Sequence, residues 1–415
     1  MEERQLVPKR RFKGFKGEWK KKNFDEEIEL YSGLTYSPND VQQNGTFVLR
    51  SSNVQNGEIV SADDVYVDSE VVNSSNVREG DIIVVVRNGS RSLIGKHAKI
   101  KKSMDKTVIG AFMTGIRSNQ PNFINALLDT QNFKREIDKN LGATINQITN
   151  GMFKSMSFII PNLEEQQKIG EFFKVLDERI ANQERKIAKV KALKDAYLTE
   201  MFPQEGEAVP KRRFRDFRDE WRQSYLLDNI KKVIDFRGRT PKKLGLSWSE
   251  NGYLALSALN VKNGYIDYSV EPHYGDEELY RKWMFGNELK KNQVIFTTEA
   301  PMGNVAQVPD NKGYILSQRV IVFDCYEERI SNDFFAVLLR SNNINKKLAD
   351  LSSGGTAKGV SQKSLESLEV KAPSPKEQQK IGEFFKNLDN QIETEENKLD
   401  KLQKMKEAYL EEMFV

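Results

Sequence analysis

Two stretches of the chain alternate apolar and polar positions with the period of a heptad seam. Leu176, Ile180, Ile187, Val190, Tyr197 and Met201 form the first seam, and Leu388, Ile392, Leu399, Leu402, Tyr409 and Met413 form the second. Prolines at 161, 373 and 375 stand just ahead of them, a placement that fits a helix start. The pattern predicts two helices of about 38 residues, each about 57 Å long at 1.5 Å per residue. Between and before them lie short apolar runs such as "IIVVV" at 82–86, read as strands, and helix-like runs beginning at Phe123 and Phe334.

Polar residues interrupt both seams, Gln183 and Lys194 in the first and Glu395 and Lys406 in the second. A parallel pair in register sets Lys194 against Lys406, two like charges in a half-buried layer. An antiparallel pair sets Lys194 with Glu395 and Gln183 with Lys406, and its middle layers become Ile187 with Leu402 and Val190 with Leu399. A buried polar layer is a register device in coiled coils. The expectation is therefore an antiparallel intramolecular coiled coil. The plainer reading, two helices packed as ordinary core on their own domains, fits a seam of this length less well.

The seams belong to a larger duplication. "EQQKIGEFFK" occurs at 165–174 and again at 377–386, and 23 of 38 positions agree over the extended segments. "VPKRRFKGFKGEW" at 7–19 returns as "VPKRRFRDFRDEW" at 209–221. Weaker matches fill the space between: "SNVQNGEI" at 52–59 with "LNVKNGYI" at 259–266, and "GDIIVVV" at 80–86 with "NQVIFTT" at 292–298. The order is variable region, helix, variable region, helix. The domain reading is 1–160, a helix over 161–202, a linker and second variable region over 203–372, and a helix over 373–415. Helices that match closely beside regions that diverge suit one scaffold holding two different readers.

Composition narrows the chemistry. Lys and Arg number 64 against 60 Asp and Glu, a net charge of +4 that permits a nucleic-acid partner without requiring one. Cys325 is the only cysteine, which excludes an intramolecular disulfide and a cysteine-based zinc site. His97 and His273 are the only histidines and lie far apart in the chain, leaving little for a triad or a metal cluster. No phosphate loop or amino-methyltransferase tetrapeptide occurs, and Asp63 with Asp64 reads as a surface turn. No catalytic residue and no metal ligand is assigned. Nothing reads as a membrane span or export signal, so the expected compartment is the cytoplasm.

Basic and polar residues gather at turns in both variable regions. "VVVRNGSRSLIGKH" at 84–97 carries Arg87, Asn88, Ser90, Arg91 and Lys96, and "DFRGRTPKKLG" at 235–245 carries Arg237, Arg239, Thr240, Lys242 and Lys243. Arginine can grip guanine through two hydrogen bonds and asparagine can read adenine, while Lys, Ser and Thr hold phosphates. A solvated loop is the competing reading for any one of them. Thr144 and Thr356 follow Gly142-Ala143 and Gly354-Gly355 at matching sites, either as turn residues or as phosphate contacts. The stretch "KRRFKGFKGEWKKK" reads either as a surface for DNA or a partner or, as its alternating Phe and Trp suggest, as a segment that packs its aromatic residues onto the domain with its charges outward.

Taken together, the paired "EQQKIGEFF" helices, the two "MF" helix ends, the "VPKRRF…F…EW" entries and the "RGRTP" and "GGT" elements resemble the specificity subunit of type I restriction–modification systems. The resemblance runs over essentially the full length. It implies an α+β fold: a tandem duplication of two globular α/β target-recognition domains separated by two long helices in an antiparallel coiled coil. It further implies that each domain reads half of a bipartite double-stranded DNA target, and that the helices set the spacing. Two methyltransferase subunits would dock there and hold S-adenosylmethionine, and restriction–translocase subunits would join them; the chain itself would hold no cofactor. On this reading Arg91→Ala disturbs one half-site and Arg239→Ala the other. The alternatives are a coiled-coil interaction scaffold without DNA readout, and an enzyme fused to its own recognition domain, for which motifs and room are lacking.

Overall fold

A computed structural model of the chain describes residues 6–141, 146–270, 272–352 and 359–415. The two predicted helices are continuous over Leu163–Glu200 and Pro375–Met413. The chain forms two compact units, Met1–Glu184 with Asn397–Val415 and Arg185–Glu396, so each unit takes the start of one long helix and the end of the other.

Both units are built the same way. In the first, Lys20–Asn23 pairs antiparallel with Ser157–Ile160, closing the segment that leads into the long helix. A four-stranded antiparallel sheet runs in the order Glu29–Ser32, Met113–Arg117, Ile82–Val85, His97–Lys99. A second sheet runs Thr107–Ile109, Thr46–Leu49, Val65–Val67, Val41–Gln42, its first two strands parallel. The second unit repeats this with Arg222–Tyr225 on Glu369–Ala372 and with the order Ile230–Asp235, Val320–Cys325, Val294–Thr297, Val305–Gln307. Its smaller sheet is Tyr274–Gly275, Tyr253–Leu256, Ile315–Leu316, the last two parallel. The apolar run at 82–86 is buried on both faces, which is why it reads as continuous rather than alternating.

The helix-like run starting at Phe123 is two helices, Pro121–Asp129 and Gln131–Asn140. Thr130 ends the first, and its hydroxyl accepts the Phe133 N–H to cap the second. Ser341 stands at the same break, between Asn332–Arg340 and Asn342–Leu351.

The ten repeated residues are explained by what they touch. Glu165 is fully buried and accepts two hydrogen bonds from Arg11, both at 2.7 Å; Glu377 receives the same from Arg213 at 2.7 and 2.8 Å. These arginines turn inward, a correction to the expectation that the charges of the "KRRF" stretches face outward. Gln166 and Gln378 donate to the carbonyls of Pro161 and Pro373 at 3.1 and 3.0 Å, tying the first turn to the preceding proline. A Cβ at Gly170 would meet the Phe123 backbone nitrogen at 2.6 Å, and one at Gly382 the Asp333 Cβ at 2.9 Å. Only glycine lets the long helix approach the shorter one so closely. Phe173 and Phe385 then fill the core, joined by Phe414 in the first unit and Phe202 in the second.

Within each unit the long helices run antiparallel. Phe172 packs on Tyr409 with ring centroids 5.1 Å apart, and Asp177 meets Lys406 at 2.7 Å. In the second unit Tyr197 packs on Phe384 at 5.0 Å, and Lys194 meets Asp389 at 2.5 Å. The seam residues Leu176, Ile187, Leu388, Ile392 and Glu395 are buried, and Ile180, Val190, Lys194, Leu399 and Leu402 are half-buried. The register differs from the expected one. Lys194 pairs with Asp389 and not with Glu395, which takes Lys186 at 2.9 Å; Lys406 pairs with Asp177 and Asp129. Each lysine finds an aspartate six residues nearer the start of the facing helix. The aspartates lie one position past a seam leucine, and the aromatic contacts of Phe172 and Phe384 hold the helices where the long lysine stems reach them.

The polar cluster under Lys406 is unlike its counterpart. In the first unit His97 Nε2 lies 3.4 Å from Asp129, and its Nδ1 lies 3.0 Å from the Gly95 carbonyl. In the second unit the position matching Asp129 is Arg340, which pairs with Asp389 at 2.9 Å. Burial pulls the His97 pKa down, but the hydrogen bond and charge of Asp129 outweigh it and leave it above 6.5. Both ring nitrogens face acceptors, so the imidazolium fits the site better than either neutral tautomer. Asp129 is lowered: burial pushes it up, but His97 and Lys406 more than offset that, whereas burial holds Asp177 above the ordinary range.

Two outcomes follow. In urea unfolding of the full chain, a double-mutant cycle on Lys194 and Asp389 gives a coupling of about 1 kcal/mol or more. The cycle on Lys194 and Glu395 is additive within about 0.5 kcal/mol; the reverse ranking would return the helices to the seam-based register. By imidazole NMR, His97 titrates above 6.5 and Asp129→Asn brings it below. Its stabilising contribution is fully present below 6.5 and is lost as pH rises through the folded-state value, while that of Asp129 is lost as pH falls through its own. A His97 midpoint unmoved by Asp129→Asn contradicts the assignment.

Candidate nucleic-acid interface

In the first unit, loops distant in sequence meet beyond the ends of the buried strands. The hairpin loop after Ile82–Val85 returns to His97–Lys99, and beside it lies the turn that precedes Met113–Arg117. The Phe112 carbonyl accepts the N–H groups of Val86 and Arg87 at 3.0 and 3.2 Å, and the Val86 carbonyl accepts Ile148 N–H at 2.9 Å. Asn146 Nδ2 donates to the Gly89 carbonyl at 3.2 Å. Asn88 Nδ2 donates to Ser51 Oγ at 3.3 Å and Lys96 Nζ to the Ser51 carbonyl at 3.4 Å, which brings in the turn after Thr46–Leu49.

Arg87 is exposed, its guanidinium 4.9 Å from the centroid of Phe112, a ring 53% exposed. Asn88 and Lys96 are half-buried, so part of their hydrogen-bonding capacity is spent on positioning the loop. Ser90 donates its N–H to Asn88 Oδ1 at 2.9 Å and shares a hydrogen bond with Ser92. Arg91 is exposed and lies 3.6 Å from Asp138 on the helix Gln131–Asn140.

The basic loop of the second unit follows a different strand, Ile230–Asp235, so the two loops picked out in the sequence are not counterparts within the repeat. Arg237 is exposed and forked onto Asp235 at 2.6 and 2.8 Å. Arg239 stacks on Phe236 at 4.3 Å and donates to the Trp283 carbonyl. Thr240 caps the turn Pro241–Leu244 by accepting Lys243 N–H, Lys243 Nζ donates to the Gly238 carbonyl at 2.6 Å, and Lys242 is exposed. Gln318 Nε2 donates to the Arg239 carbonyl at 2.7 Å, joining this loop to the turn before Val320–Cys325. That turn occupies the place of Phe112 in the first unit, so each basic loop flanks the same turn of the shared frame. A cleft of about 380 Å³ opens here, lined by Arg239, Thr240, Trp248, His273, Trp283 and Arg319. Trp248 and His273 stack at 5.7 Å with planes 16° apart.

Thr144 and Thr356 lie outside the described residues. The sequence reading did not pick out Phe112, Asn146, Trp248, Gln318 or Arg319 as members of this end, because each arrives from a turn or strand remote from the basic loops. Among the described residues no group of three or more His, Cys, Asp or Glu side chains is placed to hold a metal ion, and no helix is long and apolar enough to cross a membrane.

One α+β unit thus occurs twice, each copy carrying polar loops at one end and a pair of antiparallel long-helix segments, which defines a tandemly duplicated α+β protein. A family model described as the type I restriction modification DNA specificity domain matches twice, over residues 16–192 and 227–404, and the chain belongs to that family. It is 30% identical over 151 residues to the type I restriction enzyme StySPI specificity subunit of Salmonella potsdam, covering 34% of this chain and 32% of that one. It is 23% identical over 277 residues to the MjaVIII specificity subunit of Methanocaldococcus jannaschii, covering 65% and 64%. The matched segments thus span from about a third to just under two-thirds of these relatives. In fold it is similar to the crystal structure of a type I restriction–modification S subunit from M. genitalium, with a TM-score of 0.64, 16% identity and 99% of both chains covered.

Proposed function

We infer that the chain chooses the DNA sequence for a type I restriction–modification complex, each unit reading one half of a bipartite duplex target. The observation that carries this is the double match to the DNA specificity domain, over 16–192 and 227–404, each match covering the loops of one unit that gather Arg, Lys and Asn side chains at one end. Lys96, Lys242 and Lys243 suit phosphate contacts, which supply most of the affinity and weaken as salt rises. Arg87 and Asn88 in the first unit, and Arg237 and Arg239 in the second, suit base edges in the major groove.

The chain itself performs no catalysis on this reading. Two methyltransferase subunits, docked along the long helices, hold S-adenosylmethionine and methylate adenine, and restriction–translocase subunits join for cleavage. The length of the helices sets the spacer between the half-sites.

Removing the chain from cells that carry it erases one bipartite motif from the genome-wide adenine-methylation map. The purified complex binds duplexes bearing that motif with a log-linear loss of affinity in salt. A map that keeps every motif, or methyl transfer by the chain alone, overturns the reading.

A further inference from the structure

The two units share one backbone frame at the loop end but fill it with different chemistry. Val86 N–H donates to the Phe112 carbonyl at 3.0 Å, and Thr298 N–H donates to the Arg319 carbonyl at 2.8 Å. Ile148 and Val360 donate to the Val86 and Thr298 carbonyls at 2.9 and 3.0 Å. Gly95 and Gly303, both in the left-handed region, close the two hairpins on Val85 and Thr297 at 2.9 Å. Arg87 bridges to Gln147 as Glu299 bridges to Gly359. Arg87 therefore corresponds to Glu299, and Phe112 to Arg319. In the first unit a guanidinium lies on a phenyl ring; in the second, Arg319 Nε lies 3.7 Å from Glu299 Oε2.

We propose that these two positions, 87 with 112 and 299 with 319, are a matched specificity-determining contact that makes the two half-sites differ. The proposal rests on the DNA-reading function inferred above.

Stability does not account for these side chains. Phe112 is 53% exposed, a poor use of a large apolar ring in a solvated turn. Arg319 and Glu299 have side chains 56% and 40% exposed, and ion pairs so placed contribute little to folding. Arg319 also holds φ at +64°, a conformation that non-glycine residues rarely adopt and that clusters at functional sites.

Their chemistry matches different base edges. A guanidinium over Phe112, 4.9 Å from the ring centroid, can still present N–H groups to guanine O6 and N7, and the exposed ring beside it suits a thymine methyl. In the second unit Arg319 suits guanine, while Glu299 accepts from the amino group of cytosine or adenine. A carboxylate facing a polyanion repels phosphate, so Glu299 trades affinity for discrimination.

The test uses the full chain assembled with its methyltransferase subunits and duplexes randomised over both half-sites. The combined Arg87→Glu and Phe112→Arg variant gives the first unit the second unit's pair. Its selected first half-site changes at one or two base pairs while the second half-site stays the same. Glu299→Gln tightens binding to non-specific duplex and loses about tenfold or more of discrimination at one position of the second half-site. An unchanged first half-site in the exchange variant, or no specific selection in its first half while the second half is still selected, overturns the pair assignment. So does a Glu299→Gln variant that discriminates like the parent. A parent complex that selects no sequence at all would instead overturn the specificity function itself.

Discussion

A buried arginine–glutamate pair sets where each long helix begins. Glu165 and Glu377 are at most 1% exposed, and a carboxylate so placed is tolerable only with a partner that satisfies both oxygens. Arg11 and Arg213 do this through two hydrogen bonds each, and only arginine presents that planar fork. Loss of one partner of such a pair costs about 3–5 kcal/mol, because the other charge stays buried. The pair explains why "VPKRRF" and "EQQKIGEFFK" are both repeated: each supplies one half of one interaction.

From that anchor the rest of each unit is placed in turn. Gly170 and Gly382 let the long helix lie against a shorter one, and that helix packs against the central sheet. The sheet order brings the turn before its second strand beside the loop after its third. The contacts around Arg10 carry the same logic to the other helix. Arg10 N–H donates to the Glu412 carbonyl at 2.8 Å, as Arg212 N–H does to the Glu200 carbonyl at 2.9 Å. Trp19 packs edge-on to Phe414 as Trp221 does to Phe202. The repeated Arg, Glu, Gln, Gly, Phe and Trp residues named above serve this frame, and the chemistry varies where the frame ends in loops.

Much of this was legible because helices leave a periodic record. The seams, the duplication and the antiparallel direction follow from the placement of Leu, Ile and Lys along the chain. The register did not, since Asp177 and Asp389 lie beside the seam and look like solvated positions until the aromatic contacts fix the helices. The basic loops were visible as turn-rich stretches. Their surroundings were not, because Phe112 and Arg319 reach them across a sheet whose strand order no local pattern encodes. One signal was present: extending the match of "GDIIVVV" with "NQVIFTT" by a single residue sets Arg87 against Glu299. Arg91 has an exposed acid, Asp138, 3.6 Å away on a separate helix, a neighbour that its own loop sequence does not show.

The central claim is that one frame, used twice, holds two independent readers. Replacing residues 20–160 by residues 222–372 would give both units the second unit's loops on unaltered long helices. Methylation mapping of the assembled complex should then return a motif containing the second half-site twice and the first not at all. A motif that keeps the first half-site would contradict the account, as would loss of all sequence preference in a complex that still assembles.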